Sequence, residues 1–118
     1  DFISLLQVSM AHVYLSYPFV LSWSLLEAMS LGCLVVGSGT APIREVITDG
    51  ETGLLADFFD IEGLSRRMIE ALQDPRAHVP IREAARRHVV STYDLQSVCL
   101  PAHLALIAKL LGDGNLAD

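Results

Sequence analysis

Apolar residues are arranged in two different ways along this chain. From Phe2 to Gly37 they come in short unbroken runs, whereas from Asp60 onward they recur every three or four positions between charged ones. The first pattern belongs to elements covered on several sides, the second to amphipathic helices. Phe2–Ser9 predicts the end of a helix with Ile3, Leu5 and Leu6 on its packing side. His12–Ser16 (HVYLS) is β-branched and aromatic and predicts a buried strand, closed by the Tyr17-Pro18 break. Ser22–Leu31 is rich in helix formers and stops at Gly32, a common C-terminal signal. Cys33–Gly37 (CLVVG) predicts a second strand, Ser38–Pro42 a turn, and Ile43–Ile47 a single helical turn. Thr48–Thr52 is a polar loop, and Gly53–Ala56 (GLLA) a third, shorter strand.

Past Asp60, which is placed to cap a helix, Ile61, Leu64, Met68, Ala71 and Leu72 fall on one helical face, and Asp74-Pro75 ends the segment. Pro80 opens another helix with Ile81, Ala84, Ala85, His88 and Val89 inward and Arg82, Arg86 and Arg87 outward, Glu83 and Arg87 standing at i,i+4. Leu95–Leu111 is helical by pattern, with Pro101 as a kink or a fresh start, and Gly112–Asp118 is expected to fray. Strands alternating with helices predict an α/β fold with a parallel sheet and flanking helices. Three strands are fewer than a typical sheet, so the expectation is part of a domain.

Composition and charge narrow the function classes. With 52% hydrophobic and 19% charged residues and a mean hydropathy of +0.43, the chain is not a disordered tail. A net charge of −6 argues against a protein that wraps nucleic acid, since phosphate binding draws on clustered Lys and Arg. Residues 2–26 carry no charge, yet Gln7, His12, five serines and Pro18 interrupt them, so no transmembrane segment is expected there. No basic stretch precedes an apolar one, so no signal peptide is visible. The chain opens at Asp1, and we expect its natural start upstream. Cys33 and Cys99 lie in apolar runs without metal-ligand spacing and read as two reduced core thiols of a cytoplasmic protein.

One formal charge, Glu27, stands between Phe2 and Ile43, and all eight Lys and Arg lie from Arg44 onward. A carboxylate on an apolar helix needs something to satisfy it. Ser24-Leu25-Leu26-Glu27 matches a capping box, in which Glu27 would bond a free backbone N–H; alternatively Glu27 accepts from ligand hydroxyls in the crevice at the sheet's carboxyl end. Ser22 and Ser24, with Trp23 between them, occupy the same helix start, either as ordinary caps or at an anion site. Trp23 reads equally as a packing residue or as a pocket wall. The small-residue loop Ser38-Gly39-Thr40-Ala41-Pro42 permits close backbone approach to a ligand or is simply a turn. No G-x-G-x-x-G or Walker pattern is present. His12, His78, His88 and His103 have no partners at ligand spacing, so no metal site is expected. Arg66, Arg67, Arg82, Arg86 and Arg87, interspersed with Glu62, Glu70 and Glu83, read as a solvated face, while Arg44 and Glu45 either pair with each other or line the cleft.

The run HVYLSYPFVLSWSLLEAMSLGCLVVGS over residues 12–38, followed by APIREVI at 41–47 and DGETGLL at 49–55, resembles the C-terminal half of group 1 glycosyltransferases. That resemblance implies retaining enzymes of the GT-B architecture. The chain would then be the distal part of a Rossmann-like donor-binding domain, with residues 1–58 the βα donor-site region and 59–118 the helical C-terminal region. It implies that Glu27 matches the second of two motif glutamates and holds the nucleotide's ribose. The first glutamate, which contacts the donor sugar in relatives, would fall at Phe19. Backbone amides around Leu21–Trp23 (Leu21, Ser22, Trp23) correspond to those meeting sugar and diphosphate, Phe19 and Val20 belong to the same donor-binding stretch, and the loop at Ser38–Ala41, with Ser38 and Gly39, would border the nucleotide. The implied function is transfer of a sugar from a nucleotide-diphosphate donor to a carbohydrate or glycolipid acceptor, with no cofactor and no obligatory metal. The catalytic machinery would be completed by an N-terminal domain outside these residues. A nucleotide-sugar epimerase of the same architecture and a non-catalytic interaction module are the alternatives. Placement is cytoplasmic, with a peripheral position at the inner membrane face left open.

Overall fold

A computed structural model describes residues 1–17 and 19–112. Three parallel strands lie in chain order, β1 (His12–Tyr14), β2 (Val35–Ser38) and β3 (Leu54–Ala56), with His12 opposite Val35 and Val36 opposite Leu54. The helices are α1 (Phe2–Val8), α2 (Trp23–Ser30), α3 (Ala41–Arg44), α4 (Ile61–Gln73), α5 (Val79–Tyr93) and α6 (Leu100–Gly112). A π-helical turn, Leu95–Cys99, joins α5 to α6. The expected α/β class and parallel sheet are what the chain forms.

The period-two geometry of strands divides the core. Val35 and Leu55 point to one face, where Leu6, Leu25, Ala28, Met29, Ala85 and Val89 join them from α1, α2 and α5. Leu34, Val36 and Leu54 point to the other, where Ala71 of α4 covers them with Met68 and Ile81. β2 is buried at every position, which is why its sequence is a run and not an alternation. In β1, by contrast, Val13 is 45% exposed. The expected buried strand is thus an edge strand among the described residues. Ile3 and Leu5, expected to pack, face outward beside a single buried Leu6.

Other boundaries move for local reasons. The turn expected over Ser38–Pro42 is shorter: Ser38 ends β2, and α3 begins at Ala41 with Pro42 in its first turn, where a missing N–H costs nothing. Asp60 caps α4 by accepting from the Gly63 N–H at 2.8 Å, but Ile61 and Leu72 are exposed, so the buried stripe is narrower than the periodicity suggested. Pro101 stands in the first turn of α6, directly after the π-helical turn that runs into it. Cys99 is only half-buried, while Cys33 is fully buried and donates its S–H to the Leu6 carbonyl at 2.8 Å; neither is in a disulfide. By length and composition the helical run Val79–Gly112, 34 residues through the π-turn, is long and apolar enough to cross a membrane, and a single such helix is weak evidence of a span. The Pro18 break and the tail beyond Gly112 lie outside the described residues.

The loop after α3 is held by its own polar groups. Gly50 adopts φ +77°, the left-handed conformation that turns the chain back, and Asp49 Oδ1 accepts from the Leu55 N–H at 2.8 Å. The other Asp49 oxygen meets Arg67 at 2.9 Å, and Arg67 also donates to the Leu55 carbonyl and to Glu70. This network ties the DGETGLL segment to α4.

Candidate donor site

The carboxyl ends of β1 and β2 are joined by side chains. Ser16 N–H donates to Ser38 Oγ, and that hydroxyl donates back to the Ser16 carbonyl, each at 3.1 Å. Tyr14 reaches further along the β1–α2 connection, where its hydroxyl accepts from the Ser22 N–H at 2.9 Å. These bonds seat the start of α2 beside the end of the sheet.

Ser22 is the N-cap of α2. Its Oγ accepts from the Ser24 N–H at 3.3 Å and lies 3.1 Å from Ser24 Oγ. The capping box expected at Ser24–Glu27 does not form, because the cap lies two residues earlier and Leu25 takes the position a glutamate would need. Glu27 therefore stands one turn into α2, exposed, and its carboxylate has no hydrogen bond or ion pair among the described residues. The burial expected to make this charge costly is absent, since Leu25, Ala28 and Met29 occupy the inward face.

Glu27 borders two concavities. One, of about 250 Å³, is walled by Trp23, Leu26, Val89, Tyr93 and Leu95 between α2 and α5. The other, of about 170 Å³, lies against Phe2, Ile3, Ser30 and Leu31. Trp23 is 82% exposed, which makes it a wall and not a core residue. Phe19 and Val20 are also largely exposed, while Leu21 packs against the core. Leu21, Ser22, Trp23 and Glu27 thus come together around the first turns of α2.

Ser38 and Gly39 are placed differently. Ser38 is completely buried and its hydroxyl is committed to Ser16. Gly39 N–H donates to the Ala56 carbonyl at 2.7 Å, and its own carbonyl accepts from Arg44 Nε at 2.8 Å. The Ser38 hydroxyl and the Gly39 N–H are thus both engaged within the chain. A Cβ on Gly39 would come within 2.5 Å of an Arg44 guanidinium nitrogen, so the glycine is the seat of that side chain. Arg44 is exposed and forms no ion pair among the described residues. Nothing in the spacing of Arg44 along the chain announces this folded-back guanidinium.

The outward face expected for Arg82 and Arg86 is only partly solvated: Arg82 Nε donates to the Gly32 carbonyl at 2.6 Å and Arg86 donates to the Ser30 carbonyl. Their i,i+4 spacing was a visible signal; their target was not. Burial pushes the Cys33 thiol pKa up, against a smaller opposing effect of nearby Arg82. Burial alone pushes His12 down. Among the described residues no three of His, Cys, Asp and Glu stand close enough to hold a metal ion.

Comparison with known proteins adds to this geometry. The family model for glycosyl transferases group 1 matches residues 1–88. The chain is 36% identical over 90 residues to the lipopolysaccharide core biosynthesis mannosyltransferase LpcC of Rhizobium leguminosarum bv. viciae, covering 76% of this chain and 25% of that protein. It is 34% identical over 74 residues to the N-acetyl-alpha-D-glucosaminyl L-malate synthase of Bacillus anthracis, covering 63% of this chain and 19% of that protein. With the glycogen synthase of Mycobacterium tuberculosis it shares 30% over 88 residues, 75% of this chain and 21% of that one. The fold matches sucrose-phosphate synthase from Thermosynechococcus elongatus with a TM-score of 0.77 at 23% identity, over 86% of this chain and 26% of that one. The chain therefore spans a quarter or less of the curated relatives it matches.

Proposed function

The chain belongs to the group 1 glycosyl transferases, and on that premise we propose that it supplies part of the donor site of an enzyme transferring a sugar, with retention, from a nucleotide diphosphate to an acceptor hydroxyl. The observation that carries this reading is Glu27, an exposed carboxylate without an internal partner, placed one turn from the capped start of α2 and facing a concavity walled by Trp23. Such a group accepts two hydroxyl hydrogen bonds, as a ribose diol provides. The start of α2 carries the positive end of the helix dipole, which suits a diphosphate and favours the charge that develops as the nucleotide leaves. Phe19 places no carboxylate near the transferred sugar, so in this reading backbone groups around Val20–Trp23 contact it. Ser38 and Gly39, with Arg44 laid over the glycine, border the nucleotide. The acceptor, a carbohydrate or glycolipid, and the rest of the catalytic cleft would be met by parts of the protein outside these residues. The free thiols of Cys33 and Cys99 accord with a cytoplasmic place.

The test uses the full-length protein. UDP, GDP and ADP and their sugars are titrated calorimetrically, and products with candidate acceptors are analysed by NMR. We expect one nucleotide to bind and the sugar to appear on an acceptor with its anomeric configuration retained. Release of an epimerised nucleotide sugar would assign an epimerase instead, and absence of any nucleotide binding would leave an interaction module.

A further inference from the structure

The far end of α2 ends in a left-handed turn. Gly32 has φ +76°, the Cys33 N–H donates to the Ala28 carbonyl and the Gly32 N–H to that of Met29, each at 3.0 Å. The Glu27 carbonyl is taken by the Leu31 N–H and by Ser30 Oγ. The carbonyls of Ser30, the last residue of α2, and of Gly32, in the turn that follows, lie at the negative end of the helix dipole. Both are met by arginines from α5: Arg82 Nε on Gly32 at 2.6 Å, and Arg86 on Ser30. The two arginines are one helical turn apart and lie 50 and 56 residues from their acceptors. Neither forms an ion pair among the described residues, although Glu83 between them does so with Arg87.

We propose that Arg82 and Arg86 are positioning residues for α2: by bonding the carbonyls at its C-terminal end, they fix from a distant part of the chain the direction in which its other end presents Ser22, Trp23 and Glu27. The functional half of this inference rests on the donor-site reading above. Leverage makes the clamp matter. An eight-residue helix is about 12 Å long, so a tilt of roughly 5° moves its far end by about 1 Å, and an error of that size is costly in a site that must meet a ligand. A guanidinium suits the task because its forked N–H groups and fixed charge serve both the carbonyl and the dipole.

The experiment compares the full-length wild type with the Arg82→Met/Arg86→Met double variant. It reads backbone hydrogen exchange over residues 23–30, the Kd of the nucleotide diphosphate that the wild type binds, and Tm. Exchange over residues 23–30 should rise about tenfold or more relative to α4, and Kd should weaken by about tenfold, with the loss in kcat/KM carried by KM. Lysine at both positions should recover part of each change. If the double variant does not fold, Arg86→Met alone, at an exposed side chain, gives the same readout at smaller amplitude. A folded variant with unchanged exchange in α2 overturns the proposal, as does a uniform rise in every helix tracking a fall in Tm. If the wild type binds no nucleotide diphosphate, the donor-site reading fails, while exchange in α2 still decides whether the clamp exists.

Discussion

The Tyr14 hydroxyl accepts a hydrogen bond from the Ser22 N–H at 2.9 Å, linking the last residue of β1 to the cap of α2. Tyr14→Phe removes the acceptor and keeps the ring. The expected cost is about 1 kcal/mol, the usual net worth of one partly buried bond. Chemical denaturation should read that loss, and nucleotide affinity should fall by a few fold as the helix start loosens. Unchanged values of both would show that water replaces the tyrosine without consequence.

Glu27→Gln separates recognition from folding. The carboxylate has no partner among the described residues, so stability should stay within about 0.5 kcal/mol of wild type. Hydrogen bonds to a charged acceptor are worth about 1.5–3 kcal/mol, so nucleotide affinity should weaken tenfold or more. A fall in Tm with unaltered affinity would return Glu27 to a structural role.

Gly53 has no room for a methyl group. A Cβ there would stand 2.9 Å from Ile47 Cγ2 and 3.3 Å from the Val35 carbonyl, and Ile47 is fully buried. Gly53→Ala should destabilise the protein by about 1–3 kcal/mol, the range for overpacking a filled core. Gly50→Ala, with open space around it, should lose stability only through its positive φ. Equilibrium unfolding of both variants distinguishes steric from conformational cost.

Burial raises the Cys33 pKa above that of an unfolded thiol, while Arg82 opposes part of the shift. The native state therefore holds its proton to higher pH than the unfolded state. The resulting stability is complete below the ordinary thiol pKa and is lost as pH rises through the elevated native value. Wild type should thus lose stability faster above the ordinary thiol range than Cys33→Ala does. Alkylation under native conditions should modify half-buried Cys99 before Cys33.

Much of the order of elements was readable in the residues, since run length, helical spacing and the breaks at Gly32, Asp60 and Pro80 each have a local cause. Burial was read less well. Ile3, Leu5, Ile61 and Leu72 sit at apolar positions of real helices yet are exposed, because periodicity states which face could pack and not how much of it finds a neighbour. At the candidate site, Ser22, Trp23 and Glu27 were visible as one helix start. The capping box was not to be trusted there, because two nearby serines compete for one cap and only the path of the backbone from β1 chooses between them.

Strand, helix and turn identities, and the motif that names the family, follow from interactions within a few residues and so are written along the chain. The bond from Tyr14 to Ser22, the seat of Arg44 on Gly39 and the arginines that hold the far end of α2 are of another kind. Arg82 and Gly32 are 50 positions apart, and no local preference makes one the partner of the other. Their meeting depends on burying Ala85 and Val89 against the same core as Leu25 and Met29, which aligns α5 with α2 and brings an apparently solvated charge onto a helix end.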